Sequence, residues 1–136
     1  MKASFEKAQG QRTIFDGVKA ERASFFKAEL TRSTFNNANL AKAVMMRANF
    51  ARGSFIEANL EGVPFVLSNL SRAIFVKSRL RGADLKDAFT FNTNFSDADL
   101  SEVKNLTQKQ VDMACGNAAT LLPPGLTKPS PWTCDD

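Results

Sequence analysis

Residues 38–52 read Ala38-Asn39-Leu40-Ala41-Lys42, Ala43-Val44-Met45-Met46-Arg47, Ala48-Asn49-Phe50-Ala51-Arg52. A small residue is followed two places on by a large apolar one, every five positions. Read outward from here, the large position falls on every fifth residue from Phe5 to Leu100. Seventeen of these twenty positions are Phe, Leu or Met; Gly10, Ala20 and Thr90 are the exceptions. The small column includes Ala3, Ala8, Ala23, Ala28, Ala58, Ala73, Ala83, Ala88 and Ala98. A period of five matches neither helix nor strand. A helix would spread these residues around its surface, and a flat strand would send successive ones to opposite faces. The pattern closes if each five residues form one short side of a coil before the chain turns a corner. The large and small residues then point inward, and coils stack at the β spacing of about 4.8 Å.

The units Ala38-Asn39-Leu40-Ala41-Lys42, Ala58-Asn59-Leu60-Glu61-Gly62, Ala83-Asp84-Leu85-Lys86-Asp87 and Ala98-Asp99-Leu100-Ser101-Glu102 resemble those of pentapeptide-repeat proteins. The resemblance covers residues 3 to about 104. It implies an all-β solenoid: a right-handed quadrilateral β-helix of about five coils, with four sides and twenty residues to a coil. Leu40, Phe50, Phe55, Leu60, Phe65, Leu70 and Phe75 are expected in its core. Asn39, Asn49, Asn59, Asn69, Asp84, Asn94 and Asp99 are expected at corners, where their side chains bond the local backbone and mimic a turn. The family includes gyrase-binding members that confer quinolone resistance by presenting the shape and charge of duplex DNA. That mimicry needs an acidic surface. This chain has 18 basic and 14 acidic residues, net +4, which disfavours it.

A length of 136 residues implies one domain. No apolar stretch is long enough for a transmembrane helix. No signal peptide is visible, and nothing fixes Met1 as the natural start. The chain has no His and no Tyr, and its two Cys are too few for a zinc site without His. The seven Gly form no phosphate-cradling loop. No cofactor or metal site is read, and the commonest general acid–base residue is absent. The expectation is a non-enzyme. The modest positive charge, without nucleic-acid signature motifs, disfavours a nucleic-acid partner.

The repeat stops near Lys104. Thr107 and Gln110 fit a capping box, and Leu106 with Val111 fits a hydrophobic staple. A helix is expected over 107–115, with Gly116 as its stop, covering the open end of the solenoid. The division is therefore 1–105 β-helix, 106–116 capping helix and 117–136 Pro-rich tail. The tail carries Pro123, Pro124, Pro129 and Pro131, but also Leu121, Leu122, Leu126 and Trp132, so it should pack on the C-terminal end. Outward Phe89 and Phe91 are its expected dock. The bracketing Cys115 and Cys134 are either a disulfide pinning the tail or two free thiols. Oxidation would place the protein in a periplasm, lumen or extracellular space, and reduction would suit a cytoplasm. The segment 106–116 also resembles C-terminal segments of bacterial pentapeptide-repeat proteins.

Residues twenty apart stack on one face. Arg12, Arg32, Arg52 and Arg72 then form one column along a corner. It is either a strip for an anionic partner or a solvated edge balanced by acids such as Glu29 and Glu57. Lys7, Lys27, Arg47, Arg22 and Lys42 mark neighbouring corners. A second column is apolar: Phe26, Met46 and Val66, with Val44, Pro64 and Leu67 beside them. It is a contact face for a partner or second copy, a surface under the tail, or a β-prone solvent face. Ile56, Ile74 and Val76 form a smaller set opposite. Gly10 and Ala20 under-fill the first coil, which should pair with something, including a second copy, or continue an upstream segment. The functional expectation is a non-catalytic scaffold presenting rigid flat faces to an unidentified protein partner, with polyanion binding through the Arg column as the alternative.

Overall fold

A computed structural model describes residues 2–134. Ser4, Gln9, Ile14 and Lys19 each form a parallel bridge with the residue twenty further on: Ser24, Glu29, Thr34 and Asn39. The same four bridges recur coil after coil, through Asn59↔Arg79 and Arg79↔Asp99. The chain is thus a β-helix whose sides are too short to be more than single bridges. On each side the large residue donates its N–H to the next coil, as Leu40 does to the Asn59 carbonyl at 2.9 Å. The bridging residue before it donates to the previous coil, as Asn39 does to Val18 at 2.8 Å. The following small residue closes the turn, Ala43 N–H to Leu40 carbonyl at 2.9 Å.

The corner belongs to the residue two after the large one. Every fifth residue from Lys7 to Asp97 has a left-handed φ, between +52° and +76°. For L-residues this region is costly, least so for Gly and for Asn or Asp. The corners accordingly hold Gly, Asn, Asp or long unbranched side chains, with Leu67 the exception, and none is β-branched. This corrects the expectation for Asn39 and its equivalents, which lie on the sides. Their Oδ1 atoms accept the N–H of the residue that opens the turn: Asn49 from Ala51 at 3.0 Å, Asn59 from Glu61 at 3.1 Å, Asp84 from Lys86 at 3.0 Å. They brace the corner from outside it.

Leu40, Phe50, Phe55, Leu60, Phe65, Leu70 and Phe75 are all fully buried. Phe15, Phe35, Phe55 and Phe75 stack face to face at 4.8, 5.0 and 4.9 Å, so the ring column reads out the coil pitch directly. Rings from adjoining sides meet edge-on, as Phe35 and Phe50 do at 5.7 Å and 84°. Each buried Phe contributes roughly 2 kcal/mol by area, and both ring geometries add to it. Phe5, Phe15 and Val18 in the first coil are only half-buried.

Near the C-terminus, α1 spans Gln108–Met113. The capping box forms as read: Gln110 N–H donates to Thr107 Oγ1, and Thr107 N–H to Gln110 Oε1. The helix ends before the expected residue 115, because Ala114 is extended and Cys115 rejoins the ladder. Cys115 N–H donates to Thr93 and its carbonyl accepts from Phe95, each at 2.9 Å. Leu121 then bridges to Asp99, so α1 is an insertion in a last partial turn of the rod. Gly116 is not the helix stop. A Cβ there would lie 2.5 Å from Cζ3 of Trp132, whose indole occupies that space. The indole N–H donates to the Ala114 carbonyl at 3.0 Å.

The tail also departs from its expected dock. Cys134 joins Cys115 in a disulfide, with Cα atoms 5.0 Å apart, and lies beside Ser96. That seats the end of the tail on the side carrying Asn94 and Ser96. Phe89 and Phe91 stay 47% and 41% exposed, stacked on one another. Trp132 against Gly116 and the disulfide together pull the tail to a different face. Met1, Asp135 and Asp136, the outer limits of the expected division, lie outside the described residues.

Candidate functional site

Four corner columns separate four faces. Face 1 carries residues 3–6 and their equivalents twenty on, face 2 residues 8–11, face 3 residues 13–16 and face 4 residues 18–21. On each side two inward residues alternate with two outward ones, so each face displays two columns between two corners.

Arg12, Arg32, Arg52 and Arg72 all take left-handed corner positions, with φ from +57° to +60°, and all are exposed. They line the corner between faces 2 and 3. The expected balance by Glu29 and Glu57 does not form. Among the described residues the only ion pair within 4 Å is Arg81–Glu102 at 3.3 Å, on a different side of the rod. Glu57 sits on another corner, φ +57°, and Glu29 lies on face 2 without an ion pair. The other edge of face 2 is the corner of Lys7, Lys27 and Arg47, also exposed. Face 2 is therefore bordered on both long edges by cations along its N-terminal part; the first edge runs on to Leu67 and Asp87 and the second to Asn92. Between them lie mostly polar side chains: Gln9, Gln11, Thr31, Asn49, Asn69 and Ser71.

At the C-terminal end of face 2 the two columns turn aromatic. Phe89 and Phe91 lie 6.3 Å apart with rings inclined by 14°. The Arg72 guanidinium carbon is 5.4 Å from the Phe91 centroid, linking the Arg column to this pair. Beside Phe89, a recess of about 580 Å³ is lined by Leu106, Lys109, Gln110 and Met113 of the α1 region. The sequence reading treated Phe89 and Phe91 as a covered dock, so it missed this exposed pair. Counting in twenties from residues 7 and 12 would have placed both cation columns on the borders of residues 8–11.

Face 1 holds the apolar set. Phe26, Val44, Met46, Pro64 and Val66 are half-buried, while Leu67 on the adjoining corner is 48% exposed. Pro64 has no N–H, and the ladder bond that Val44 and Asp84 make from the same column is missing there. The end of the described tail, Thr133 and Cys134, lies on face 3, opposite face 1. Ile74 of the smaller set lies beside Thr133 and Cys134.

Among the described residues one carboxyl is perturbed. Asp99 on face 4 is held below its ordinary value of 3.8, first by a hydrogen bond from the Ser101 hydroxyl and then by the Ser101 N–H. This is the same turn-bracing geometry as at the Asn positions, at 2.9 Å. No described helix is long and apolar enough to cross a membrane.

The comparisons agree with this geometry. The family model for pentapeptide repeats matches residues 28–65 and 54–87, with eight copies. A pentapeptide repeat protein from the thylakoid lumen of Arabidopsis thaliana has the same fold, with a TM-score of 0.61 and 24% identity over 79% of this chain and 78% of that one. A pentapeptide repeat protein of the cyanobacterium Cyanothece 51142 is 21% identical over 84% of this chain and 90% of that one, with a TM-score of 0.42. A structure of QnrB1, a plasmid-mediated fluoroquinolone resistance protein, is 18% identical over 85% of this chain and 68% of that one, with a TM-score of 0.26. Neither of the last two superposes well enough to carry an argument. No curated protein matches. The five-residue repeat, its family match and the solenoid it builds lead to one assignment: residues 28–87 are pentapeptide repeats of that family, in a chain that folds as a pentapeptide-repeat solenoid.

Proposed function

We propose that this protein is a non-catalytic scaffold that presents rigid, flat faces to a protein partner. The observation that carries the reading is the character of the surface: long columns of like residues on fixed corners, with only open recesses between them. Small-molecule sites are usually concave and enclosed, whereas a ladder of side chains at a fixed pitch suits a broad macromolecular contact. The rod of about five coils over residues 1–105 is the display element. The segment 106–116 acts as its cap, since Gln110 donates to the Leu85 and Ala88 carbonyls at 2.7 and 3.0 Å where the coil is interrupted. The tail from residue 117, described to residue 134, is the latch, held by Cys115–Cys134. Self-association through face 1 or the half-buried first coil is the homo-oligomeric form of the same reading.

Photo-cross-linking tests it. A photoreactive residue is placed in turn at Gln11, Met46, Val76 and Lys19, one for each face. The reading expects cross-links to a partner, or to a second copy, confined to one or two faces. Cross-links of equal yield from all four, or from none, would count against it. Polyanion binding through the Arg column is favoured by one specific observation, that these guanidinium groups lack carboxylate partners within ion-pair distance among the described residues. DNA mimicry toward gyrase is disfavoured, because the most regular charged columns are positive.

A further inference from the structure

We propose that face 2 is a docking track for an acid-rich, extended segment of a protein partner, with an apolar residue of that segment seated on Phe89 and Phe91. The proposal rests on the scaffold reading above and specifies its partner. Seven cations border this face: Lys7, Lys27 and Arg47 on one edge, and Arg12, Arg32, Arg52 and Arg72 on the other. Beyond Arg47 the first edge continues with Leu67 and Asp87, so its positive stretch ends before the aromatic pair. Among the described residues, Glu29 between the rails and Asp87 at the end of the first are the acids of this surface, and neither forms an ion pair. Cations of one sign repeating at the 4.8–5.0 Å coil pitch repel one another, so a bound polyanion relieves a repulsion as well as adding an attraction.

Two rails select the kind of anion. An extended peptide sends successive side chains to opposite sides, with same-side neighbours about 6.8 Å apart. Laid along the rod axis, it would offer carboxylates to both rails at once. Arg guanidinium pairs with carboxylate through a planar, two-pronged contact, which suits the all-Arg edge. A single nucleic-acid strand carries its phosphates along one backbone and would engage one rail at a time. The aromatic pair ends the track. Phe91 is already tied to the Arg rail through Arg72, so charge capture and apolar anchoring lie on one continuous surface. Buried aromatic anchors supply much of the energy of protein contacts, while charges steer the encounter.

Fluorescence anisotropy with labelled dodecaglutamate, with and without a terminal Trp, tests this. Dodecathymidylate is the nucleic-acid comparison. The variant pairs are Arg32→Glu with Arg52→Glu, Lys27→Glu with Arg47→Glu, and Lys19→Glu with Lys77→Glu as a control of equal charge change away from face 2. Glu57 already occupies a left-handed corner, so Glu is compatible with the rail backbone. Each rail pair should weaken the Trp-tipped peptide by about tenfold or more, and the control by less than about twofold at physiological salt. Phe91→Ser should abolish the gain given by the Trp. Equal losses in rail and control variants, or dependence on one rail only, would overturn the track. So would a Trp gain that survives Phe91→Ser, or tighter rail-dependent binding of dodecathymidylate than of the peptide. Failure here with cross-links still confined to one face would leave the scaffold reading standing.

Discussion

At each corner of the rod one residue takes a positive φ, and this constraint explains much of the surface. The corners carry Arg12, Arg22, Arg32, Arg47, Arg52 and Arg72 because long unbranched side chains can sit there and point into solvent. The corner requirement explains why a position is polar and unbranched; it does not explain why one corner is Arg four times running. Leu67 is the misfit, an exposed apolar residue at φ +59°. Leu67→Asn, matching the corners of Asn37 and Asn92, should stabilise the protein by roughly 1 kcal/mol in urea unfolding; a loss would show that Leu67 is held by contacts. The charged corners were legible in the sequence, since Arg12, Arg32, Arg52, Arg72, Lys7, Lys27, Arg47, Arg22 and Lys42 all lie on corners as read; their left-handed φ was not, because Lys, Arg, Glu, Asp, Asn, Gly and Leu all fill the position. The Asn three places before a corner drew the eye because its side chain braces that corner. Asp99 braces as a carboxylate and has a depressed folded-state value. Its contribution is present above the unfolded value and is lost as pH falls through the folded one. Asp99→Asn should keep the turn and remove that part of the acid-side loss of stability, read from thermal unfolding below pH about 4.

At the scale of elements, the C-terminal region shows where local pattern stops being informative. Thr107 and Gln110 gave the start of α1 correctly, because a capping box is local chemistry. The end could not be read, because Cys115 leaves the helix for bonds to Thr93 and Phe95 across a coil. Gly116 looked like a helix stop, but its absent Cβ makes room for an indole sixteen residues away. The resting place of the tail was likewise set by long-range partners. Gln110 is the hinge of this arrangement: it closes the capping box with one end and satisfies two coil carbonyls with the other. Gln110→Ala should leave those groups unpaired and cost about 2–3 kcal/mol in chemical denaturation; an effect below about 0.5 kcal/mol would mean that water replaces the amide without penalty.

For the whole molecule, stability accumulates coil by coil because each coil touches only its neighbours. A fully buried central residue should therefore matter more than its counterpart in the first coil. Leu60→Ala should cost about 2–5 kcal/mol, and Phe5→Ala distinctly less, since Phe5 is half-buried. A coil that turns a corner every five residues was legible in the period itself, and the right-handed quadrilateral β-helix in the resemblance to pentapeptide-repeat proteins; the faces became legible only once residues were grouped in twenties. The central claim is that these faces, built from residues twenty apart, are the units that dock. It is tested most directly by inserting one extra repeat after Lys42 and measuring the affinity of Trp-tipped dodecaglutamate. One repeat keeps the period but turns everything before it by one corner, so Arg12 and Arg32 leave the column of Arg52 and Arg72. Inserting a whole coil instead restores the alignment. The account predicts a folded protein in both cases, with affinity lost by about tenfold after the single repeat and retained after the full coil. Equal affinity in the two insertions would contradict it.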